Sequence, residues 1–146
     1  MTLREARPQD LSCLLALYTH LHGNPLPEDG PALQALWQDI LSDPHHHILL
    51  AWEGAQAVST CVVLLVPNLT HSQRPYALVE NVVTHPDFRG RGYGTAVLDA
   101  ARDLARQAGC YKIMLLTGSK RPETLAFYRR AGFQDGDKTG FVQWLP

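Results

Sequence analysis

The chain has 146 residues, 45% of them hydrophobic, and its 13 basic and 14 acidic side chains give a formal net charge of -1. This length suits one domain, residues 1–146, with a sizeable core, and the balanced charge offers no basic footprint for nucleic acid or an anionic membrane. The three cysteines stand far apart, and no apolar stretch could span a bilayer or begin a signal peptide, so we expect reduced thiols and a cytoplasmic protein.

The N-terminal third of the chain predicts one strand and two helices. Residues 2–6 alternate between apolar and polar side chains, as in a half-buried strand. A proline and Asp10 then introduce a helix whose apolar positions recur at helical spacing as far as Gly23. A link rich in Pro and Gly leads to a second helix, which starts near Pro31 and ends before Pro44.

Three successive strands are predicted in the middle of the chain. The runs 47–53, 58–66 and 76–84 are rich in β-branched and apolar residues, and turn residues separate them. The three histidines that lead into the first run, at 45–47, invite a metal interpretation. Adjacent residues of a strand point to alternate faces, however, so these side chains cannot all converge on one ion. We expect no metal.

A glycine-rich turn, Arg89-Gly90-Arg91-Gly92-Tyr93-Gly94-Thr95, follows the third of these strands. Because glycine has no Cβ, backbone N–H groups in such a turn can approach an anion closely, and the next helix adds unpaired donors and a partial positive charge. The arginines add formal charge and forked donors. The spacing is neither G-x-G-x-x-G nor a P-loop. It predicts a turn that binds the phosphates of a small cofactor.

The remaining elements indicate a mixed sheet. The helix after the turn is expected to end at Gly109, followed by a strand at 111–117, a helix at 122–131 and a final strand at 141–145. Hairpin-linked strands are antiparallel, whereas a crossover helix makes the strands that it connects parallel neighbours.

Two motifs resemble those of the GNAT superfamily of acetyl-CoA-dependent N-acetyltransferases. One is R-x-x-G-x-G after a strand, formed by Arg89, Gly92 and Gly94, and the other is Phe127-Tyr128-Arg129-Arg130-Ala131-Gly132-Phe133, which is similar to F-Y-x-x-x-G-F. The resemblance covers nearly the whole chain. It implies an α/β (α+β) fold, the GNAT acyl-CoA N-acyltransferase fold, whose central mixed, mostly antiparallel sheet has splayed central strands flanked by helices.

The resemblance also implies a binding site for acetyl-CoA, the cosubstrate. Val82, Val83 and Thr84 would hydrogen-bond its pantetheine arm, and a bulge at Val82 or Val83 would free a main-chain N–H for the oxyanion. An ordinary buried strand would suit both valines equally well. The pyrophosphate would be held by residues of the turn, namely Arg89, Gly90, Arg91, Gly92, Tyr93, Gly94 and Thr95.

Two side chains are candidates for the proton transfers. Glu80, on the strand before the turn, is the candidate base, since the family often has an acidic residue there; it would otherwise be a solvent-facing residue. Tyr128 matches the tyrosine that acts as general acid in many relatives, and a phenol stays protonated at neutral pH. It could instead be a core residue with a satisfied hydroxyl.

One position departs from the family pattern. Many members have an asparagine near the start of the helix that carries this tyrosine, where this chain has Arg121. In those members the asparagine contacts the cofactor, so whether this chain makes an equivalent contact is open. Lys120 or Arg121 could bind a phosphate of the cofactor instead. His20 and His22 lie where relatives often build the acceptor pocket.

We expect direct attack of a primary amine of a small molecule on acetyl-CoA within a ternary complex. None of the cysteines sits in an activating context, which argues against an acetylated enzyme. Two alternatives stay open: a protein N-terminal or lysine acetyltransferase, and a non-catalytic acyl-CoA-binding regulatory module. The expected partner is a small amine rather than nucleic acid or a membrane, and a homodimer is possible.

Overall fold

The computed structural model describes residues 1–146. Its strands are β1 (Thr2–Glu5), β2 (His46–Glu53), β3 (Gln56–Val66), β4 (Tyr76–Thr84) and β5 (Ile113–Leu115). Its helices are α1 (Leu11–Tyr18), α2 (Pro31–Ser42), the single turn α3 (Thr70–Gln73), α4 (Tyr93–Gln107) and α5 (Pro122–Arg130). None of these helices combines the length and the apolar character needed to cross a membrane.

The five strands form one sheet in the order β1-β2-β3-β4-β5. Neighbouring strands are antiparallel from β1 to β4, where short connections join them, and β4 and β5 are parallel because α4 crosses over between them. The mixed, mostly antiparallel sheet that the resemblance implies is therefore confirmed.

Each face of the sheet carries its own core. On one face α4 packs its Val97 and Leu98 against strand residues such as Val63. On the other face α1 and α2 contribute Leu17 and Trp37 to a second cluster. Neighbouring residues of a strand point alternately to the two faces of the sheet. We call the face covered by α4 the α4 face, and the face covered by α1 and α2 the α1 face.

A bulge in β4 changes which side chains point to which face. The pairing of β3 with β4 shifts between Thr60 and Val62, and Asn81 on β4 adopts a left-handed conformation with φ 51°. Val79 lies in the core of the α4 face, whereas Val83, an even number of residues later, lies in that of the α1 face. Only an extra residue in the strand can reverse the alternation in this way.

The two parallel strands separate soon after they meet. Their pairing runs only from Ala77 opposite Ile113 to Val79 opposite Leu115. Beyond that point β4 continues through residues 80–84 with no strand on its β5 side. We call this opening the β4–β5 gap.

Two sequence predictions are corrected at the ends of elements. The final strand predicted at 141–145 is absent, since these residues pair with no other strand. The first helix ends at Tyr18 instead of continuing to Gly23, because i to i-3 turns replace the helical bonds and His22 takes a positive φ of 55°.

Candidate active site

The turn between β4 and α4 presents a row of unused backbone donors. None of the N–H groups from Gly90 to Thr95 donates a hydrogen bond within the protein, and the first amide of α4 with a backbone acceptor is Ala96, which bonds the Gly92 carbonyl. No side chain caps this helix. These amides, together with the positive end of the helix dipole, form a concave anion-binding surface of the kind that phosphates occupy.

Two glycines of the turn have different physical roles. Gly92 caps α4 in the left-handed region with φ 87°, where a Cβ would be strained. A Cβ on Gly94 would lie 3.1 Å from Cζ of Phe127 and 3.2 Å from Oγ1 of Thr84. Gly94 therefore allows the first turn of α4 to pack closely against both β4 and α5.

The two arginines of the turn are held by the protein in different ways. Arg89 donates from Nε to the Thr84 carbonyl at 3.2 Å, so that its other guanidinium nitrogens stay free. Arg91 stacks over the rings of Phe88 and Tyr93, 4.9 and 5.6 Å from their centroids. Both guanidinium groups are exposed beside the free amides, where they add positive charge to the same surface.

A contact that sequence reasoning missed fixes the start of α4. Tyr93 is buried, and its hydroxyl donates a hydrogen bond to the carboxylate of Glu53 at the end of β2. This bond lowers the pKa of Glu53 and raises the pKa of Tyr93. Tyr93, expected only as part of the phosphate turn, therefore also ties that turn to the β2–β3 hairpin. No local pattern links residues so distant in sequence.

The bulge lies on the edge of the β4–β5 gap. Val82 packs against the α4-face core, Val83 is buried on the α1 face, and Thr84 exchanges a hydrogen bond of 2.8 Å with Ser59. Because β4 has no strand neighbour beyond Val79 on the β5 side, the backbone groups of residues 80–84 that face the gap are available to an extended ligand.

Glu80 is exposed and belongs to the α1 face. It stands opposite Val62 in the β3–β4 register, and directly opposed residues of an antiparallel pair share one face. Val62 packs in the α1-face core. The carboxylate of Glu80 therefore projects on the side of the sheet where α1 lies.

Tyr128 lies on the opposite side. It packs against the α4-face core beside Phe127 and Phe133, with ring centroids 5.1 and 6.3 Å away. Its hydroxyl has no hydrogen-bond partner in the protein. Burial, followed by the nearby Cys61 thiol, raises the pKa of Tyr128. Cys61, itself in the α4-face core, lies across from the β4 bulge.

The two candidate proton-transfer groups thus lie on opposite faces of the sheet. A carboxylate can accept a proton on one face while a phenol donates one on the other. This arrangement suits a reaction in which a nucleophile arrives from one face and a leaving group departs on the other.

Tyr18 and Asn81 form a second contact that the sequence did not reveal. The Asn81 side chain lies beside the Tyr18 phenol, and burial raises the pKa of Tyr18 to about 12. The sequence predicts Tyr18 only as an apolar position of the first helix. Asn81 is a possible sign of a bulge within the strand, because Asn tolerates the left-handed region of backbone conformation. The pair connects α1 to the bulge.

The remaining basic candidates have other contacts. Arg121 is exposed, and its Nε lies 2.7 Å from Oε1 of Glu123. It makes no contact with the phosphate turn. The His20 ring lies 4.6 Å from that of His85, at the start of the turn. His47 contacts Glu5 and the Pro44 carbonyl through its two ring nitrogens.

Cys61, the most buried of the three free thiols, is a structural residue. Burial raises its pKa to about 12, which disfavours the thiolate that a nucleophile requires.

Comparison with known proteins agrees with this geometry. The model of the acetyltransferase (GNAT) family matches residues 14–133. A glucosamine 6-phosphate N-acetyltransferase of Trypanosoma brucei brucei is 26% identical over 92% of this chain and 89% of its own. An aminoalkylphosphonate N-acetyltransferase of Salmonella typhimurium is 30% identical over 90% of this chain and 84% of its own.

A solved structure extends the similarity to nearly every residue. The structure of a putative acetyltransferase from Agrobacterium tumefaciens superposes with a TM-score of 0.93 at 43% identity, covering 99% of this chain and 100% of that one.

Proposed function

Because the chain belongs to the acetyltransferase (GNAT) family and is an acyltransferase, we propose that it transfers acetyl from acetyl-CoA to a primary amine of a small molecule. The transfer takes place by direct attack in a ternary complex. The observation that carries this proposal is the run of unused backbone donors from Gly90 to Thr95 at the mouth of the β4–β5 gap. This run of donors fits the diphosphate of coenzyme A, and the β4–β5 gap fits the extended pantetheine arm of the same molecule.

The residues that would hold acetyl-CoA divide into two groups. The amides of the turn, with Arg89 and Arg91, bind the pyrophosphate, and the gap-facing backbone of Val82, Val83 and Thr84 binds the pantetheine arm. Acetyl-CoA supplies an activated thioester carbonyl. A gap-facing N–H at the bulge, from Val82 or Val83, stabilises the negative charge that develops on the carbonyl oxygen.

Glu80 acts on the acceptor. An alkylamine with a lysine-like pKa is neutral in roughly one molecule in a few thousand at pH 7. Glu80, exposed on the α1 face, takes the proton that the amine must lose when its nitrogen bonds to the acetyl carbon.

Tyr128 acts on the leaving group. The carbon–sulfur bond breaks as the new amide forms, and the phenol of Tyr128 donates its proton to the departing thiolate on the α4 face. The raised pKa of Tyr128 keeps that proton in place at neutral pH. Water then restores the proton to the phenol.

The acceptor is proposed to be a small amine that enters from the α1 face. Relatives along most of the chain are named for glucosamine 6-phosphate and for aminoalkylphosphonates, which are small amines that carry an anionic group. His20 and His85, adjacent at the end of α1 and the start of the phosphate turn, are basic side chains on the approach to this face.

An acceptor screen tests the proposal. The purified chain would be incubated with acetyl-CoA and one of several acceptors: glucosamine 6-phosphate, an aminoalkylphosphonate, polyamines, free amino acids, or peptides with a free N-terminus or lysine. Thiol release and the acetylated product are measured together. Release of coenzyme A with a small amine supports the proposal. Acetylation of peptides alone would replace it with protein acetylation, and tight cofactor binding without thiol release would replace it with a regulatory module.

Binding measurements test the cofactor site separately. Calorimetry with acetyl-CoA should show a roughly tenfold loss of affinity for Arg89→Gln, since one charge-assisted contact to phosphate is removed. Acetylpantetheine, which has no pyrophosphate, should bind both proteins equally. Arg106→Gln, at the other end of the same helix, is the matched control and should change neither. Equal acetyl-CoA affinity for wild type and Arg89→Gln would remove Arg89 from the site.

A further inference from the structure

In the glycine-rich turn of residues 89–95, one large side chain stands between two glycines. Tyr93 lies between Gly92 and Gly94, and glycine leaves the backbone more conformational freedom than any other residue. The amides of residues 90–95 have no hydrogen bonds within the protein that would fix them, and no side chain caps α4. The position of these donors therefore depends on whatever holds Tyr93 in place.

Two contacts hold Tyr93. Its side chain is buried in the α4-face core, and its hydroxyl donates a hydrogen bond to the carboxylate of Glu53. Glu53 is the last residue of β2, and the two-residue turn 54–55 joins it to Gln56 of β3, with which it pairs. A hairpin loop this short fixes the backbone on both of its sides. The carboxylate is therefore presented to Tyr93 by a firmly paired part of the sheet.

Arg91 depends on the same tyrosine. Its guanidinium lies 5.6 Å from the ring centroid of Tyr93 and 4.9 Å from that of Phe88. These two rings meet edge to face, with centroids 5.9 Å apart. A guanidinium is attracted to the faces of aromatic rings, so the rings fix where its charge lies. One phenol thus supports both the backbone donors and a cationic side chain of the anion-binding surface.

We propose that Glu53 is a positioning residue for the diphosphate of acetyl-CoA. Through its hydrogen bond with Tyr93, it holds the amides of residues 90–95 and the guanidinium of Arg91 in the arrangement that binds phosphate. Glu53 acts through Tyr93 and does not itself contact the cofactor. The inference rests on the proposed function, since it takes acetyl-CoA as the ligand of the turn. Donors that are fixed before binding give higher affinity, because less conformational entropy is lost when the ligand arrives.

The charge of Glu53 gives the proposal a clear sign. The hydrogen bond from Tyr93 lowers the pKa of Glu53, and the charge of Arg91 contributes to this shift, so the side chain is anionic at neutral pH. A carboxylate close to a diphosphate site repels the ligand, and by charge alone its removal should strengthen binding. Positioning through Tyr93 predicts the opposite result, namely weaker binding.

Calorimetry with coenzyme A tests the proposal. Glu53→Met keeps the length of the side chain but removes its charge and its acceptor oxygens, whereas Tyr93→Phe keeps the ring but removes the donor. We expect each variant to bind coenzyme A roughly five- to tenfold more weakly than the wild type. The double variant should bind no more weakly than either single variant, because both changes remove the same hydrogen bond. Acetylpantetheine, which has no pyrophosphate, should bind all four proteins equally.

A conservative variant separates the hydrogen bond from the charge. Glu53→Gln is neutral but keeps an oxygen that can accept from the phenol, so it should recover most of the affinity that Glu53→Met loses. Glu5→Met is the matched control, because the carboxylate of Glu5 contacts His47 near the other end of β2. It should bind coenzyme A as the wild type does. Urea unfolding of each variant establishes that the fold is intact.

The outcomes distinguish this inference from the proposed function. A wild type that binds coenzyme A, together with a Glu53→Met variant that binds it equally well or more tightly, would overturn the positioning role and leave the cofactor site standing. Equal losses in Glu53→Met and Glu53→Gln would also overturn it, since charge rather than the hydrogen bond would then be responsible. A wild type that does not bind coenzyme A would overturn both proposals.

Discussion

Tyr128 and Glu80 lie on opposite faces of the sheet, so at the scale of single residues their roles can be tested independently. Tyr128→Phe removes one hydroxyl without changing the ring that packs beside Phe127 and Phe133. We expect kcat to fall about 100-fold, as for the loss of a general acid, with little change in the dissociation constant of acetyl-CoA. Tyr76→Phe, the same change at the far end of β4, should leave turnover unchanged.

Steady-state kinetics and calorimetry on the same preparations measure the two quantities. Wild-type turnover in Tyr128→Phe would show that the phenol is a packing residue and that water protonates the thiolate.

Glu80→Gln is expected to act through the protonation state of the acceptor. At pH 7 the variant should lose about 100-fold in kcat/KM, because almost every acceptor amine still carries a proton that must be removed. The deficit should shrink as the pH approaches the pKa of the amine, where the neutral form is already abundant. A pH profile of kcat/KM for both proteins checks this. A deficit that is the same at every pH would indicate a binding role for Glu80.

At the scale of elements, the packing of α4 against α5 determines where Tyr128 lies. A Cβ on Gly94 of α4 would lie only 3.1 Å from Cζ of Phe127, so the ring would have to shift, and Phe127 is adjacent to Tyr128 in the chain. Gly94→Ala should therefore displace α5, with a cost of about 1–3 kcal/mol in the free energy of unfolding from overpacking. It should also lower kcat.

Urea unfolding and turnover measure these two effects. Gly136→Ala, where a Cβ meets nothing within 4 Å, is the matched control and should change neither. If Gly94→Ala has wild-type stability and turnover, the contact with Phe127 does not position the phenol.

The order of the elements could be predicted from local sequence patterns. The face of the sheet to which each side chain points could not be predicted in this way. Alternation alone places Val79, Asn81 and Val83 on one side of a regular strand. The left-handed Asn81 inserts an extra residue and moves Val83 to the other core. The tertiary contact that accompanies this geometry, between Asn81 and Tyr18 on α1, is not encoded in the neighbouring sequence. The resemblance to the family implies a bulge at Val82 or Val83, and the structure has its left-handed residue at Asn81.

At the scale of the whole molecule, the glycine-rich turn and the order of the strands were predictable because each rests on residues close together in sequence. The separation of β4 and β5 was expected only from the resemblance to the family. The Tyr93–Glu53 anchor was not predictable, since it joins distant segments. The prediction of a final strand at 141–145 was wrong for a related reason. Its apolar pattern is typical of a strand, but a strand needs a neighbour, and none is available within the single chain.

A partly buried ion pair links β1 to the start of α1 and contributes to the stability of the whole molecule. Asp10, only 3% exposed, accepts hydrogen bonds from Arg4 of β1 at 2.6 and 3.1 Å and from the backbone N–H of Arg7 at 2.7 Å. Arg4 in turn lies 4.7 Å from the ring centroid of Trp52 on β2. The hydrogen bonds from Arg4 hold the pKa of Asp10 below its usual range. The ion pair therefore joins β1, β2 and the start of α1.

Asp10→Asn should lower the free energy of unfolding at pH 7 by roughly 2–3 kcal/mol, since it leaves Arg4 without its charged partner. The folded-state pKa of Asp10 is depressed, so its stabilising contribution is complete above the unfolded pKa of about 3.9 and is lost as the pH falls through the lower folded value. The difference in unfolding free energy between wild type and Asp10→Asn should accordingly be constant from about pH 5 to 8 and shrink below about pH 4.

Urea unfolding across this pH range measures the difference in unfolding free energy. Asp39→Asn, on the exposed side of α2, is the control and should have the same unfolding free energy as the wild type. A difference in unfolding free energy between wild type and Asp10→Asn that is as large at pH 3 as at pH 7 would mean that the shape of the side chain, rather than its charge, provides the stability.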